Sequence, residues 1–242
     1  MKNVKGFTLI ELIISMAVTM LLLGAVYLAV NSTQRHSSGI ERKVVAQQDV
    51  KAALDLMATE IAMASYNPNF VDNLWLVPPG GATTCGGASS AQQYLGIQEA
   101  TANSIAVEMD IRGTASGSDG DGALGNPNET IRYNYVTTGT DRYLTRATNC
   151  GNGMPFLGAT VASGDPRNVR VINGDLGLPV FRYYNGAGAE IAATSLPADI
   201  PDIRRIEIIL AVETEGIDPN TGQRRRLIYS ISVIPRNHVI TQ

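Results

Sequence analysis

The sequence predicts an α+β fold in which one long N-terminal α-helix packs against an antiparallel β-sheet. Two patterns support this prediction. An unbroken apolar run over residues 7–30 continues into an amphipathic stretch that ends near residue 66, which indicates a single helix. Short segments of alternating apolar and polar residues then recur between residues 104 and 234, and this alternation is typical of strands.

The first half of the predicted helix has the length and composition of a membrane-spanning segment. Residues 7–30 comprise 24 residues with a single formal charge, Glu11, and about 20 apolar residues suffice to cross a bilayer core. The thirteen Phe, Leu, Ile and Val residues of this run favour insertion by roughly 4–8 kcal/mol, against a cost of about 3 kcal/mol for a central carboxylate. The segment can therefore insert despite its acid.

Glu11 requires an explanation, because an ionisable group inside a membrane segment usually has a functional partner. Lys5 is the nearest basic residue, six positions earlier in the sequence. Helical neighbours are three or four positions apart, so Lys5 does not share a helix face with Glu11. We therefore expect the partner of Glu11 to belong to another chain.

The second half of the predicted helix carries an apolar stripe that is typical of packing against a core. The stripe consists of Val50, Leu54, Met57, Ile61 and Ala64. The polar and charged residues between them are expected to form the exposed surface; they are Arg42, Lys43, Gln47, Gln48, Asp49, Lys51, Asp55 and Glu60. Asn67-Pro68 ends the pattern, since a residue before proline avoids the helical region. A helix over residues 8–66 would be roughly 88 Å long.

The rest of the chain predicts a β-rich domain. Residues 78–93 are too polar and glycine-rich for a regular element. The predicted strands cover residues 104–111, 130–136, 142–146, 169–172, 180–184, 205–212 and 227–234. In the first of them, Ile105 and Val107 lie on one face, and Glu108 and Asp110 on the other. The last two are joined by a turn over residues 218–222, in which proline presets one dihedral angle and glycine permits a positive φ.

These patterns divide the chain into four segments. Residues 1–6 form a leader, residues 7–30 a transmembrane half-helix, residues 31–66 an amphipathic half-helix, and residues 67–242 a globular domain outside the membrane. Two lysines precede the apolar run, as expected of a cytoplasmic flank. The net charge of −3 gives the chain no general electrostatic attraction to nucleic acid, so we expect no nucleic-acid partner.

The run Lys5-Gly6-Phe7-Thr8-Leu9-Ile10-Glu11-Leu12 resembles the processing and assembly signal of type IV pilins and type II secretion pseudopilins. The resemblance implies that a prepilin peptidase cleaves after Gly6 and methylates the new N-terminus, Phe7. It also implies that Glu11 pairs with the free N-terminus of a neighbouring subunit. A buried acid with such a partner is far less costly than an unpaired one.

The same resemblance implies a pilin-like fold, a bacterial inner-membrane precursor with its globular domain on the periplasmic side, and later residence in a surface pilus. Its expected partners are the prepilin peptidase, other minor and major pilins and the inner-membrane assembly platform. A secretory signal peptide is a poorer interpretation, because its apolar core is shorter and precedes a small-residue cleavage site. A plain signal anchor would explain the length of the run but neither Gly6 nor Glu11.

The order of later features resembles the PilW-like minor pilins, whose nearest relative is the J-type minor pseudopilin. The features concerned are Met63-Ala64-Ser65-Tyr66 at the helix end, Asp110-Ile111-Arg112-Gly113, Asn128-Glu129-Thr130-Ile131-Arg132-Tyr133, and Ile203-Arg204-Arg205-Ile206-Glu207-Ile208. Major pilins commonly have a proline in the membrane segment, and this chain has none. The resemblance implies a minor pilin that primes assembly in a tip complex. A type II secretion pseudopilin and a membrane-tethered adhesin or binding module are the alternatives.

Two features of the globular part suggest specific sites. Cys85 and Cys150 are an even pair in an exported domain and predict a disulfide that closes a loop of about 65 residues; two unpaired buried thiols are the alternative. The residues Ser118-Asp119-Gly120-Asp121-Gly122 resemble the start of a calcium loop. They lack the full EF-hand spacing, so Asp119 and Asp121 are either calcium ligands or part of a solvated acidic turn.

No motif in the sequence predicts catalysis. His36 and His238 are the only histidines, and no phosphate-binding loop, nucleophile elbow or metal-ligand cluster accompanies them. Residues 224–226 are three consecutive arginines, which form either a phosphate-binding patch or, more commonly, a solvated face. We therefore expect a structural protein without enzymatic activity, with calcium as its single candidate cofactor.

Overall fold

The computed structural model of the protein describes residues 8–77, 85–113, 119–139, 141–158, 169–218 and 221–239. Helix α1 spans Leu9–Ala62. Nine strands follow within the described ranges: β1 (Ile97–Ala100), β2 (Ser104–Glu108), β3 (Thr130–Thr138), β4 (Asp141–Thr148), β5 (Met154–Leu157), β6 (Val169–Val171), β7 (Phe181–Tyr184), β8 (Arg205–Thr214) and β9 (Arg226–Val233). This α+β, pilin-like architecture is the predicted one.

Helix α1 is continuous over 54 residues, which corresponds to a length of roughly 80 Å. It ends about one turn before the predicted position. Ser65 has a φ of 67°, and its backbone N–H donates to the carbonyl oxygen of Glu108 at 2.9 Å. The chain therefore leaves the helix to bond to the end of β2 before Pro68 is reached.

The two halves of α1 have different surroundings. The side chains from Leu9 to Val30 are all exposed, so the apolar half of the helix projects from the globular domain. The second half packs on β5, β8 and β9. The predicted stripe is confirmed there, since Val50, Leu54, Met57, Ile61 and Ala64 are each at most 5% exposed.

The strands form two antiparallel sheets. Strands β1 to β5 pair in chain order as a five-stranded meander. In the second sheet, β8 is central: β9 pairs along one edge of it, and β6 and β7 pair with opposite ends of its other edge. One hydrophobic core includes residues of α1 and of both sheets.

Two strands were not predicted, and one was predicted too long. The sequence of β1 includes Gln98 and Glu99 and does not alternate, while β5 contains Pro155; both strands depend on pairing with distant neighbours. Strand β2 stops at Glu108. All five of its residues are buried, because the segment around Leu76 covers the face that carries Glu108.

Candidate functional site

The predicted processing residues, Gly6 and Phe7, lie outside the described residues. The first described residue, Thr8, is the N-cap of α1, and it forms a capping box with Glu11. The Glu11 backbone N–H donates to Thr8 Oγ1 at 3.3 Å. The Thr8 backbone N–H and hydroxyl both donate to Glu11 Oε2, each at 2.9 Å. This arrangement turns the Glu11 carboxylate back toward the N-terminal end of the helix.

The capping box leaves half of the carboxylate free. Both donors bind Oε2, and within the described part of the chain Oε1 accepts no hydrogen bond. A carboxylate has about four lone-pair sites. Glu11 can therefore keep its bonds to Thr8 and still accept a cationic partner from another molecule.

Helix α1 is the one helix in the described ranges that is long and apolar enough to cross a membrane, and it lies near the N-terminus, where a signal sequence would pass the same test. The hydroxyl groups of Ser15 and Thr19 in its apolar half are satisfied within the helix. Ser15 Oγ donates to the carbonyl of Leu12 at 2.8 Å, and Thr19 Oγ1 to that of Ser15 at 2.7 Å. Internally bonded hydroxyls are compatible with a lipid environment.

A buried ionic cluster joins α1 to the first sheet. Glu60, which was expected on the exposed surface, is only 6% exposed. Its carboxylate accepts from Arg146 Nε at 3.1 Å and from Arg146 Nη2 at 2.5 Å, and it also accepts from the hydroxyl of Tyr133. Arg146 Nη2 further donates to Asn128 Oδ1 at 3.1 Å. The surface assignment of Glu60 was wrong because its partners come from β3 and β4.

The cluster fixes the angle at which the helix lies on the sheet. The Arg146–Glu60 pair is bidentate, and such pairs are geometrically specific. Burial, together with the adjacent Glu60 carboxylate, raises the pKa of Tyr133 well above its usual value, so its hydroxyl remains a donor at neutral pH. The ring of Tyr133 in turn packs on Phe156, with 5.2 Å between the ring centroids.

Cys85 and Cys150 form a disulfide in the structure, with 4.8 Å between their Cα atoms. Cys150 follows the last residues of β4 and is buried. Thr130, the first residue of β3, places its hydroxyl 3.6 Å from Cys85 Sγ. The bond therefore ties the segment before β1 to the end of the β3–β4 hairpin.

The predicted calcium candidates lie in a loop that two buried acids hold in place. The Asp110 carboxylate accepts from the backbone N–H groups of Asp121 and Gly122 at 3.0 and 2.9 Å. The Glu129 carboxylate accepts similarly from the backbone of Arg112, Gly125 and Asn126.

Of the candidates themselves, Asp119 is exposed, and Asp121 accepts from the Ala123 backbone N–H and from the Asn126 amide. Ser118, the first residue of the predicted loop, lies outside the described residues. In the ranges that the structure describes, no group of three or more acidic, His or Cys residues is arranged to hold a metal. The carboxylates of Asp110, Asp121 and Glu129 thus accept from backbone N–H groups of the loop.

The arginines at 224–226 are paired with acids of the same hairpin. Arg225 Nη2 lies 2.6 Å from Asp218 Oδ2, and Arg224 Nη1 lies 3.5 Å from Glu213 Oε1. Arg226 is 3.8 Å from the same glutamate. The surrounding acids therefore neutralise much of the charge that a phosphate would need. The sequence interpretation of a merely solvated face was incomplete, because these pairs help to close the β8–β9 loop.

A buried serine and histidine meet where the helix ends. Ser65 Oγ lies 2.9 Å from His238 Nδ1, and His238 Nε2 lies 2.9 Å from the carbonyl of Ile200. A carbonyl only accepts, so Nε2 carries the proton and Ser65 donates to Nδ1. Burial lowers the pKa of His238, which keeps the ring neutral. The contact ties the C-terminal turn to the end of α1, and no local sequence signal indicates it.

Glu108 has a buried carboxyl group in which one of the two oxygens is hydrogen-bonded within the described part of the chain. Its Oε2 accepts from the Leu76 backbone N–H at 2.9 Å. Within the described part of the chain, its Oε1 is buried without a hydrogen bond. Burial raises the pKa of Glu108 to about 8. The side chain is therefore largely protonated at neutral pH, and its burial at the end of β2 makes it a determinant of the pH dependence of stability.

We expect Glu108 to lower the free energy of unfolding as pH rises from 4.5 to about 8. In that window the folded chain keeps a proton that the unfolded chain releases, so rising pH favours unfolding, by up to ~1.4 kcal/mol per pH unit. Glu108→Gln should remove this slope in urea unfolding of the full chain. Glu41→Gln, at an exposed helix position, is the control and should retain it. An unchanged slope in the Glu108 variant would contradict the assignment.

The family model described as the prokaryotic N-terminal methylation motif matches residues 1–27. No curated protein and no solved structure matches the chain significantly. Proteins that carry the motif are structural rather than enzymatic, and the motif implies processing by a prepilin peptidase and use by pilus assembly machinery. Together with the long apolar helix and the antiparallel sheets, the match supports a type IV pilin-like protein that is anchored in a membrane.

Proposed function

We propose that this chain is a minor pilin of a type IV pilus, of the PilW-like type, which helps to prime fibre assembly in a tip complex. The observation that carries the proposal is the methylation motif over residues 1–27, at the start of a continuous helix whose apolar half is exposed. An exposed apolar surface of this size requires a cover. The bilayer provides it in the precursor, and the helices of neighbouring subunits provide it in the fibre.

Processing prepares the chain for this transfer. The prepilin peptidase cleaves after Gly6 in the inner membrane and methylates Phe7, while the globular domain lies on the periplasmic side. The new terminal ammonium, on Phe7, is one residue before the helix N-cap, Thr8. Glu11, whose Oε1 is free of hydrogen bonds in the described ranges, accepts the ammonium of a neighbouring subunit. This single charge pair sets the axial register between two otherwise apolar helices.

The globular domain forms the remaining contacts with sister minor pilins through the exposed side of the amphipathic half-helix and the sheet. The Glu60 cluster holds the first sheet on the helix, and the disulfide holds the segment before β1 on that sheet. The inner-membrane assembly platform and the major pilin are the further partners. In this function the chain needs no catalytic group.

A minor pseudopilin of a type II secretion machine is the second candidate, since the motif serves both classes of fibre. Helix α1 is uninterrupted from Leu9 to Ala62, which differs from major pilins with a proline in the membrane segment and suits a minor subunit of either machine. Recovery of the processed chain in sheared surface pili favours the pilus. Retention at the cell envelope, with loss of protein secretion in a deletion strain, favours the secretion machine.

The proposal predicts the N-terminus of the mature chain. The N-terminal peptide, taken from membranes and from sheared fibres, should begin at Phe7 and carry one added methyl group by mass spectrometry. The same preparation from a strain without prepilin peptidase is the control and should retain Met1. An intact Met1 terminus in the presence of active peptidase would leave a signal anchor, and a membrane-tethered binding module would then be the better interpretation.

We expect Glu11→Ala to leave processing intact and to reduce incorporation into fibres by at least about tenfold, because loss of an ion pair in a low-dielectric site costs more than ~1.4 kcal/mol. Quantitative immunoblotting of sheared fibres against membranes measures the effect. Ser15→Ala is the matched control in the same segment, since the Ser15 hydroxyl bonds only within its own helix. Normal abundance of the Glu11 variant in fibres would refute the assembly role.

A further inference from the structure

A cavity of about 410 Å³ opens beside the end of α1, far along the chain from the assembly segment. Ligand-binding pockets in proteins typically measure ~300–1,000 Å³. Its wall is built mainly from the segment Ser65–Trp75, and Gln92, Leu95 and Asn237 complete it. Neither the fibre-forming function nor the fold requires an open cavity here.

The backbone around this cavity is unusually strained. Ser65, Phe70, Asn73 and Leu95 have φ angles of 67°, 51°, 57° and 50°, and all four line the cavity. A bulky residue such as Phe or Leu rarely adopts positive φ. Residues held in such conformations cost about 1–3 kcal/mol each and cluster at ligand-binding and functional sites. This clustering is what distinguishes the cavity from an accidental gap between loops.

Side-chain hydrogen bonds hold the strained wall in place. The Asn67 carboxamide brackets Val71, accepting from its N–H and donating to its carbonyl, each at 3.0 Å. Gln92 does the same for Trp75, at 3.2 and 2.7 Å. Asn69 donates to the carbonyl of Gly120 at 2.6 Å. The wall is therefore preorganised, which reduces the entropy lost on binding a ligand.

The side chains that can contact a ligand in the cavity are one aromatic ring and several polar groups. Phe70, whose backbone lies at positive φ, is 66% exposed. Among the cavity residues in the described ranges, Asp72, Asn73 and Asn237 make no side-chain hydrogen bond. The cavity thus combines a fixed aromatic face with uncommitted amide and carboxylate groups. Paired hydroxyl groups on an apolar ring, as in a pyranose, are complementary to this combination.

Charge excludes the main competing ligand classes. The lining residues in the described part of the chain include no lysine or arginine, and Asp72 is their one formal charge. A phosphorylated or carboxylated ligand would meet repulsion without a compensating cation. A metal ion would find a single carboxylate, whereas hard cations prefer six or more oxygen ligands. We propose that this cavity binds a neutral saccharide, with Phe70 stacked on the sugar ring and Asp72, Asn73 and Asn237 bonded to its hydroxyls.

The chain carries its own reporter for this proposal. Trp75 is the only tryptophan, and it lines the cavity. The full-length chain is purified in a detergent without a sugar headgroup, because alkyl glycosides would compete for the site. An array of neutral oligosaccharides identifies the ligand, and the free saccharide is then titrated against tryptophan emission. We expect saturable binding with a dissociation constant below ~10 mM.

Phe70→Gly separates binding from folding. Glycine adopts positive φ without strain, so the variant should melt at the same temperature as the parent chain or higher. Loss of the ring should weaken saccharide binding about tenfold or more. Asn237→Ala should weaken it in the same direction. Ile228→Ala, at an equally exposed apolar position on β9, is the control and should bind as the parent does.

Three results would overturn the proposal. The first is the absence of any saturable neutral saccharide on the array and in the titration. The second is undiminished binding by a folded Phe70→Gly variant. The third is stronger binding of uronic or sialic acids than of neutral sugars, which the single carboxylate forbids. The cavity does not include the N-terminal assembly segment, so the proposal does not depend on the pilin function. N-terminal processing is measured separately, so that the failure of one proposal can be told from the failure of the other.

Discussion

Glu60→Ala is expected to lower the free energy of unfolding by about 2–4 kcal/mol, because it leaves a partly buried guanidinium without its carboxylate. Breaking a fully buried pair costs about 3–5 kcal/mol. The side chain of Arg146 is 22% exposed, so water recovers part of that cost. Tyr133 also loses the acceptor of its buried hydroxyl, which adds about 1 kcal/mol or more.

The measurement is urea unfolding of the full chain in detergent micelles, followed by near-ultraviolet circular dichroism. Asp55→Ala provides a matched control, since Asp55 is an exposed acid on the same helix and surface substitutions change stability by about 0.5 kcal/mol or less. Equal losses in the two variants would show that the helix itself, and not the cluster, is affected. A loss below about 1 kcal/mol for Glu60→Ala would mean that Arg146 finds another partner.

A double substitution tests whether the pair contributes energy or specificity. Replacing a buried ion pair by apolar residues of similar size is often neutral or stabilising. We therefore expect Glu60→Leu combined with Arg146→Met to recover most of the stability lost by either change alone. If the double variant is stable but fails to enter fibres, the cluster serves to orient the domain on the helix. That result would link the buried network to assembly.

The sequence was most informative about the features that depend on local pattern. The period of the apolar stripe from Val50 to Ile61, without an intervening proline, predicted the helix and the face that it buries. Alternation located β2, β3, β8 and β9 because each has several β-branched or aromatic residues. The N-terminal octad suggested pilin-type processing because cleavage and methylation signals are short and contiguous. These features need no knowledge of the rest of the fold.

Apart from the disulfide between Cys85 and Cys150, side-chain contacts between distant residues could not be predicted. Glu60 is separated from Tyr133 by 73 residues and from Arg146 by 86, so its local context indicates only a charged helix position. Charged residues are rarely buried unless they are paired, and the partner is visible only in the fold. The same holds for Ser65 and His238, and for Asp110, whose carboxylate caps the loop that holds Asp121.

The cavity beside the helix end could not be predicted from the sequence either. Its walls come from the segment after α1, from a short turn at residues 92–95 and from the C-terminal turn. Positive φ at Phe70 and Leu95 has no sequence signature, since glycine or asparagine would be the usual choice there. A departure from local preference of this kind becomes informative only when the structure shows several of them in one place.

Cys85→Ser and Cys150→Ser are each expected to lower the free energy of unfolding by about 4 kcal/mol, in the chain-entropy model for a loop of 65 residues. The bond restricts the unfolded chain across β1 to β4, which is most of the first sheet. Urea unfolding with and without a reductant measures the effect. The reductant should destabilise the parent chain and leave both variants unchanged, which separates loss of the cross-link from damage to packing.

The double variant supplies the decisive comparison. If the cross-link is the source of stability, Cys85→Ser combined with Cys150→Ser should lose no more than either single change, because the bond is already absent in each. Additive losses would instead show that each side chain contributes through packing. Two free thiols in the mass spectrum of the nonreduced parent chain would exclude the bond altogether. If the globular domain is exported as proposed, the bond forms outside the reducing cytoplasm, and a large loss in the variants would tie the stability of the first sheet to export.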